Sequence, residues 1–153
     1  MDLRLTEKIA LVTGSTAGIG FAIAKALAGE GAHVYVNGRT QQRVDVAMAA
    51  IRSHAASAKV DGIAGDFSSS AGAEAVIAKL PEVDVLVNNV GIFEPRAFEE
   101  IPDSDWYRFF EVNVMSGVRL SRHYVAGMLN VAGMLKRNWG RILLKRPRLH
   151  HRR

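Results

Sequence analysis

Lys8-Ile9-Ala10-Leu11-Val12-Thr13-Gly14-Ser15-Thr16-Ala17-Gly18-Ile19-Gly20 is the stretch on which the fold turns. Its first half is a short apolar run, of the kind that forms a strand buried on both faces of a parallel sheet. Its second half is glycine-rich, and from Ile19 to Leu27 apolar residues return at helical spacing. Gly14 permits a tight turn out of the strand, Gly18 lets the backbone come close to a phosphate, and Gly20 lets the helix pack closely on the sheet. The helix start offers unpaired N–H groups and the positive end of a dipole. Gly14, Ser15, Thr16, Gly18, Ile19 and Gly20 are therefore candidate ligands for a pyrophosphate. A purely structural turn uses glycine in the same way; the position between strand and helix favours the binding reading.

Outward from this stretch the same alternation continues. The helix closes at Gly29 and Gly31, and His33 to Val36 is a second strand ending at Asn37-Gly38. A helix over Gln41 to His54, a strand over Val60 to Ala64, and a helix over Ala73 to Leu80 stopped by Pro81 follow. Val83 to Val87 is a fourth strand. From Asp103, read as an N-cap behind Pro102, one long helix runs through Asn113 and Tyr124, and Gly140 to Leu144 is a fifth strand. Such alternation specifies an α/β, Rossmann-type, doubly wound parallel sheet with right-handed crossovers, here incomplete at four to five strands. Thr13, Asn37, Asp66 and Asn88 all fall at carboxyl ends of strands, where ligands of such sheets bind.

The 153 residues fit one domain and have ordinary hydrophobic (48%) and charged (23%) content. No run of about 18 apolar residues suggests a membrane span, and the charged start, Met1-Asp2-Leu3-Arg4, is unlike a signal peptide. A cytoplasmic protein is expected. The absence of cysteine excludes disulfides and thiolate metal sites, and the five histidines lack ligand spacing, so no metal is expected. The net charge of +5 is confined to Leu143–Arg153, because acids and bases cancel over residues 1–142. A basic tail can hold polyanions weakly, but no basic stripe points to specific nucleic-acid binding.

Four motifs in order carry a resemblance: Thr13-Gly14-x-x-x-Gly18-Ile19-Gly20, Asp66, Asn88-Asn89-Val90-Gly91, and Asn113 within Glu111-Val112-Asn113-Val114. Together, over residues 5 to about 142, the chain resembles the short-chain dehydrogenase/reductase family. The resemblance implies hydride transfer between a nicotinamide cofactor and a small-molecule carbonyl or alcohol, in a homo-oligomer. It implies that the glycine loop binds the pyrophosphate, Asp66 the adenine, that Asn88 and Gly91 shape the cofactor wall, and that Asn113 belongs to the catalytic group. Asp66 also suits a turn, and Asn88-Asn89 a backbone-satisfying turn. Val90 replaces the family's usual Ala and would crowd the cofactor slightly. After the second strand stands Asn37-Gly38-Arg39-Thr40, with no acid to accept ribose hydroxyls. Arg39 is either a solvated loop charge or a fork for a 2′-phosphate, and the second reading predicts NADP in preference to NAD.

The family's proton donor is a Ser with a Tyr-x-x-x-Lys, on and beyond the fifth strand. Here Tyr35 is followed four residues later by Arg39, Tyr107 by Glu111, and Tyr124 by Met128. Tyr124, Ser116 and His123 are read as packing or surface residues. After Ile142 the text turns to Lys145-Arg146-Pro147-Arg148 and ends in His150-His151-Arg152-Arg153, which suggests a shifted reading frame. Just upstream, Val125 to Asn130 is repeated by Val131 to Lys136 with one change. The expectation is a dinucleotide-binding domain over 1–142 with a basic, disordered, non-family tail over 143–153. Such a chain would be inactive alone, and its long helix would leave an apolar face exposed to aggregation. The alternative reading is a catalytically dead dinucleotide-binding module or a non-functional fragment.

Overall fold

The computed structural model describes residues 3–129 and 139–145. Five parallel strands, β1 (Ile9–Val12), β2 (His33–Gly38), β3 (Val60–Ala64), β4 (Val85–Asn88) and β5 (Arg141–Leu144), lie in the order β3-β2-β1-β4-β5. Helices α1 (Gly18–Gly29), α2 (Gln41–His54), α3 (Ser70–Lys79), α4 (Asp103–Phe110) and α5 (Ser116–Leu129) connect them. Strand order reverses at β1, between β2 and β4, so the glycine loop leaves the sheet at its switch point.

Side-chain alternation along the strands builds two cores. Ala10 and Val12 of β1 pack with Ala24 and Ala28 of α1 and with Ala47 and Ile51 of α2. Leu11, between them in sequence, points the other way and joins Val76 of α3 and Leu120 and Tyr124 of α5. Both faces of β1 are thus covered, as its unbroken apolar run requires.

Helix ends follow local chemistry. Gly31, at φ 89°, ends α1 in a left-handed turn: its N–H donates to Ala28 O, and the next N–H, of Ala32, reaches back to Leu27 O. Thr40 caps α2 by accepting from Arg43 N, and Ser69 caps α3 by accepting from Gly72 N.

The helix over Asp103 to Tyr124 differs from its sequence reading in two respects. Pro102, extended at ψ 155°, is the N-cap and Asp103 the first helical residue, its carboxylate in the first turn beside the positive end of the helix dipole. The helix is also not continuous: Glu111–Met115 forms a π-helical turn between α4 and α5, inserting Asn113 into an otherwise regular repeat. The first copy of the sequence repeat lies in α5 as far as Leu129, and residues 130–136 fall outside the described set. Exposed apolar side chains do line this face, with Trp106, Phe110, Val114 and Val118 four residues apart.

The tail boundary after Ile142 cuts through β5. Leu143 pairs with Val87 and Leu144 with Asn88, and Lys145 N donates to Asn88 O at 3.0 Å. Beyond Lys145 the tail lies outside the described residues.

Tyr124 is buried, as the packing assignment requires, and its hydroxyl donates to Leu80 O at 2.7 Å. Removing the hydroxyl strands a buried carbonyl, so Tyr124→Phe is expected to cost about 1–2 kcal/mol in urea unfolding. Burial also pushes the Tyr124 pKa up to about 12 from 10.0. The native state thus favours the neutral phenol, and this stabilisation, complete below about pH 10, is lost as pH rises toward 12. Tyr124→Phe is expected to shallow that alkaline loss without removing it, since Tyr35 is also raised, by burial and by Asp61. An unchanged alkaline profile would contradict the assignment.

Candidate functional site

Thr13 and Ser15, where the loop leaves β1, are buried, so their polar groups need partners. The Thr13 hydroxyl donates to Val87 O (3.2 Å) and accepts from Asn89 N (2.9 Å) and Val90 N (3.0 Å), tying β1 to the segment after β4. Ser15 Oγ donates to Val12 O at 2.7 Å and accepts from Asn37 N, while Ser15 N donates to Asn37 O. Asn37 completes the brace. Its Oδ1 accepts from Gly14 N at 3.0 Å and its Nδ2 donates to Ile63 O and Gly65 O, so one side chain joins the ends of three strands. Asn89 Nδ2 donates to both Thr13 O and Gly14 O at 3.0 Å.

Two glycines of the loop have different physical reasons. A Cβ on Gly20 would fall on the Gly14 carbonyl and the Asn89 amide, so glycine is required for the helix start to tuck under the loop, more than against the sheet itself. Gly18, at φ 57°, has nothing within 4 Å of a notional Cβ: its surroundings are open, as an approaching ligand needs. Unlike α2 and α3, α1 begins at Ala17 with no side-chain cap, leaving its first N–H groups to an outside acceptor.

A cavity of about 530 Å³ opens at this point along the carboxyl ends of the strands. Of the residues singled out in the sequence, Gly14, Thr16, Ile19, Gly20, Arg39, Asp66 and Gly91 line it. Ser15, Gly18, Asn88 and Asn113 do not. Ser15 is turned into the loop, and Asn88 Nδ2 donates to Ser121 Oγ at 3.1 Å while its Oδ1 is buried without a partner. Asn113 clasps the wall: Ile92 N donates to its Oδ1 at 2.7 Å and its Nδ2 donates to Ile92 O at 3.1 Å. Asp66 lines the cavity, and its Oδ1 accepts from Ser68 N in the turn its sequence position also suits. Val90 also lines the cavity, with Cγ2 at 3.1 Å from a notional Cβ on Gly14.

Sequence reasoning gave no site role to Arg43 or Lys145, and noticed Asn37 and Asn89 at strand ends without the bonds they make. Asn37 and Asn89 hold the loop, and Arg43 and Lys145 line the cavity. Arg39 precedes the Thr40 cap of α2 and Arg43 lies in its first turn, so no helical spacing relates them in the sequence. Neither arginine has an ion-pair partner among the described residues. Among the described residues there is no group of three acidic or histidine side chains placed to hold a metal, and no helix long and apolar enough to cross a membrane.

Known proteins resemble this chain in sequence and in fold. The family model described as short chain dehydrogenase matches residues 8–144. The Bacillus subtilis (strain 168) protein named uncharacterized oxidoreductase YvaG is 50% identical over 129 residues, covering 84% of this chain and 49% of the relative. D-beta-hydroxybutyrate dehydrogenase of Cupriavidus necator is 37% identical over 143 residues, covering 91% of this chain and 52% of that protein. L-sorbose reductase from Gluconobacter frateurii, solved in complex with NADPH and L-sorbose, superposes with a TM-score of 0.76 at 34% identity, over 85% of this chain and 51% of that chain. The chain spans about half the length of the curated relatives it matches. With its switch-point loop, its asparagine braces and a family match over residues 8–144, the chain belongs to the short chain dehydrogenase family.

Proposed function

We propose that the chain is the cofactor-holding part of an oxidoreductase that moves hydride between NADP(H) and a small carbonyl or alcohol. The observation that carries this reading is the uncapped start of α1 opening on a cavity at the switch point, with open space at Gly18. In the proposed arrangement the pyrophosphate sits on the loop from Gly14 to Gly20, where N–H groups and the helix dipole oppose its charge. Asp66 lies at the β3 side of the same cavity, suited to an adenine amine. Gly91 and Ile92, held by Asn113, form the opposite wall.

Preference for NADP rests on Arg39 and Arg43. Both line the cavity at the β2 end, and the lining there holds no carboxylate except Asp66 beyond β3. Two forked, unpaired guanidinium groups suit a 2′-phosphate, whereas NAD would be left facing cations with nothing to accept its ribose hydroxyls. The solved relative complexed with NADPH is in keeping with this choice.

The bound cofactor would supply the hydride; the chain's own residues bind it, orient it and wall off the cavity. A proton must also be delivered to the carbonyl oxygen, and within these 153 residues no Tyr has a Lys four positions on. We therefore propose that this polypeptide alone binds NADP(H) without turning over a carbonyl.

Fluorescence titration is expected to show NADPH binding at least tenfold tighter than NADH. Arg39→Ala should weaken NADPH about tenfold and leave NADH nearly unchanged, from the loss of a charge-assisted hydrogen bond. Equal affinities for the two cofactors would overturn the preference. Separately, the NADPH-loaded chain mixed with short ketones and aldehydes should show no oxidation above a protein-free control; steady oxidation would refute the binding-only reading.

A further inference from the structure

The two ends of the cavity carry different chemistry. Arg39 and Arg43 stand at the β2 end. At the β4–β5 end the walls are Val90, Gly91, Ile92 and Val112, with two cations, Arg108 and Lys145. Arg108 is already neutralised. It forks onto Glu94, at 3.0 and 2.6 Å, and stands 3.5 Å from Asp105, which also takes Arg96 at 2.8 Å. Two acids and two arginines cancel in that network.

Lys145 is not neutralised: it has no ion-pair partner among the described residues. Nor is it carried on a loose tail, since its N–H extends the β5 ladder by one bond to Asn88 O. Lys145 lines the cavity while remaining exposed to solvent, so its charge is screened and acts at short range. From β2 to β5 the sheet crosses three strand spacings, about 14 Å, too far for a phosphate held at Arg39 to satisfy Lys145 as well.

We infer that Lys145 makes the β4–β5 end of the cavity an anion site, selecting a carboxylate-bearing ligand beside the cofactor. This rests on the proposed NADP(H) site, which fills the remainder of the cavity. A carboxylate there gains a charge-assisted hydrogen bond from the ammonium group, while its carbon chain meets Val90 and Ile92. An uncharged ligand of the same size gains no such bond from the exposed ammonium group.

The full 153-residue chain, saturated with NADP⁺, is titrated with pyruvate and with butanone by ligand-observed NMR, and NADPH affinity is measured separately by fluorescence. Pyruvate is expected to bind at least tenfold tighter than butanone. Lys145→Met should remove that preference and Lys145→Arg should retain it, with NADPH affinity within twofold of the parent in both. Pyruvate bound no better than butanone, or bound equally well by Lys145→Met, overturns the inference while leaving the cofactor reading standing. Lys145→Met that weakens NADPH tenfold and spares pyruvate would instead make Lys145 a cofactor contact, and overturns it as well. A parent chain that fails to bind NADPH overturns both readings together.

Discussion

Ser15, buried where the loop leaves β1, and the adjoining Gly14 N–H must find hydrogen bonds within the fold, and Asn37 supplies them. Its side chain accepts from Gly14 N and donates to Ile63 O and Gly65 O, while its backbone exchanges bonds with Ser15. Thr13 and Asn89 do the same on the β4 side. Because these groups are nearly removed from water, an unmade bond at any one would cost about 1–3 kcal/mol. The brace therefore fixes the loop without using the N–H groups that begin α1, and that economy is what leaves a place for an anion.

From the brace the other features of the site follow. Once Thr13 joins β1 to the segment after β4, the wall of Val90, Gly91 and Ile92 is set against the loop. Asn113 holds the far side of that wall, and it can do so because the π-helical turn at Glu111–Met115 displaces it from the regular helical repeat. A straight helix would carry residue 113 around with its neighbours; the extra residue in the turn re-aims it. The helix interruption and the cavity wall are in this sense one feature.

Much of this was legible in the sequence, and the reasons for the remainder are physical. Strands such as Ile9–Val12 and Val85–Asn88 announce themselves because burial on both faces demands near-continuous apolar runs, and glycines at 14 and 31 mark turns that need positive φ. Asn37 and Asn89 were visible as residues at strand ends, but their partners lie 23 to 76 positions away, and no local pattern reveals a bond of that span. The π-helical turn changes the backbone by one residue and leaves the apolar spacing almost untouched, so periodicity reads through it. Lys145 sits in a basic run that looks like solvated tail, yet its place is set by backbone pairing with Asn88, to which side-chain composition is blind. For the same reason the composition break placed the domain edge at Ile142, two residues inside β5.

The central claim is that the switch-point loop and its braces exist to hold a dinucleotide along the carboxyl ends of the strands. Hydrogen–deuterium exchange of the full chain with and without saturating NADPH tests it most directly. Protection on binding should be confined to residues 13–20, 37–43, 65–68 and 89–92, with α3 and α5 unchanged. Protection that appears elsewhere, or none at these four segments while NADPH is demonstrably bound, would contradict it.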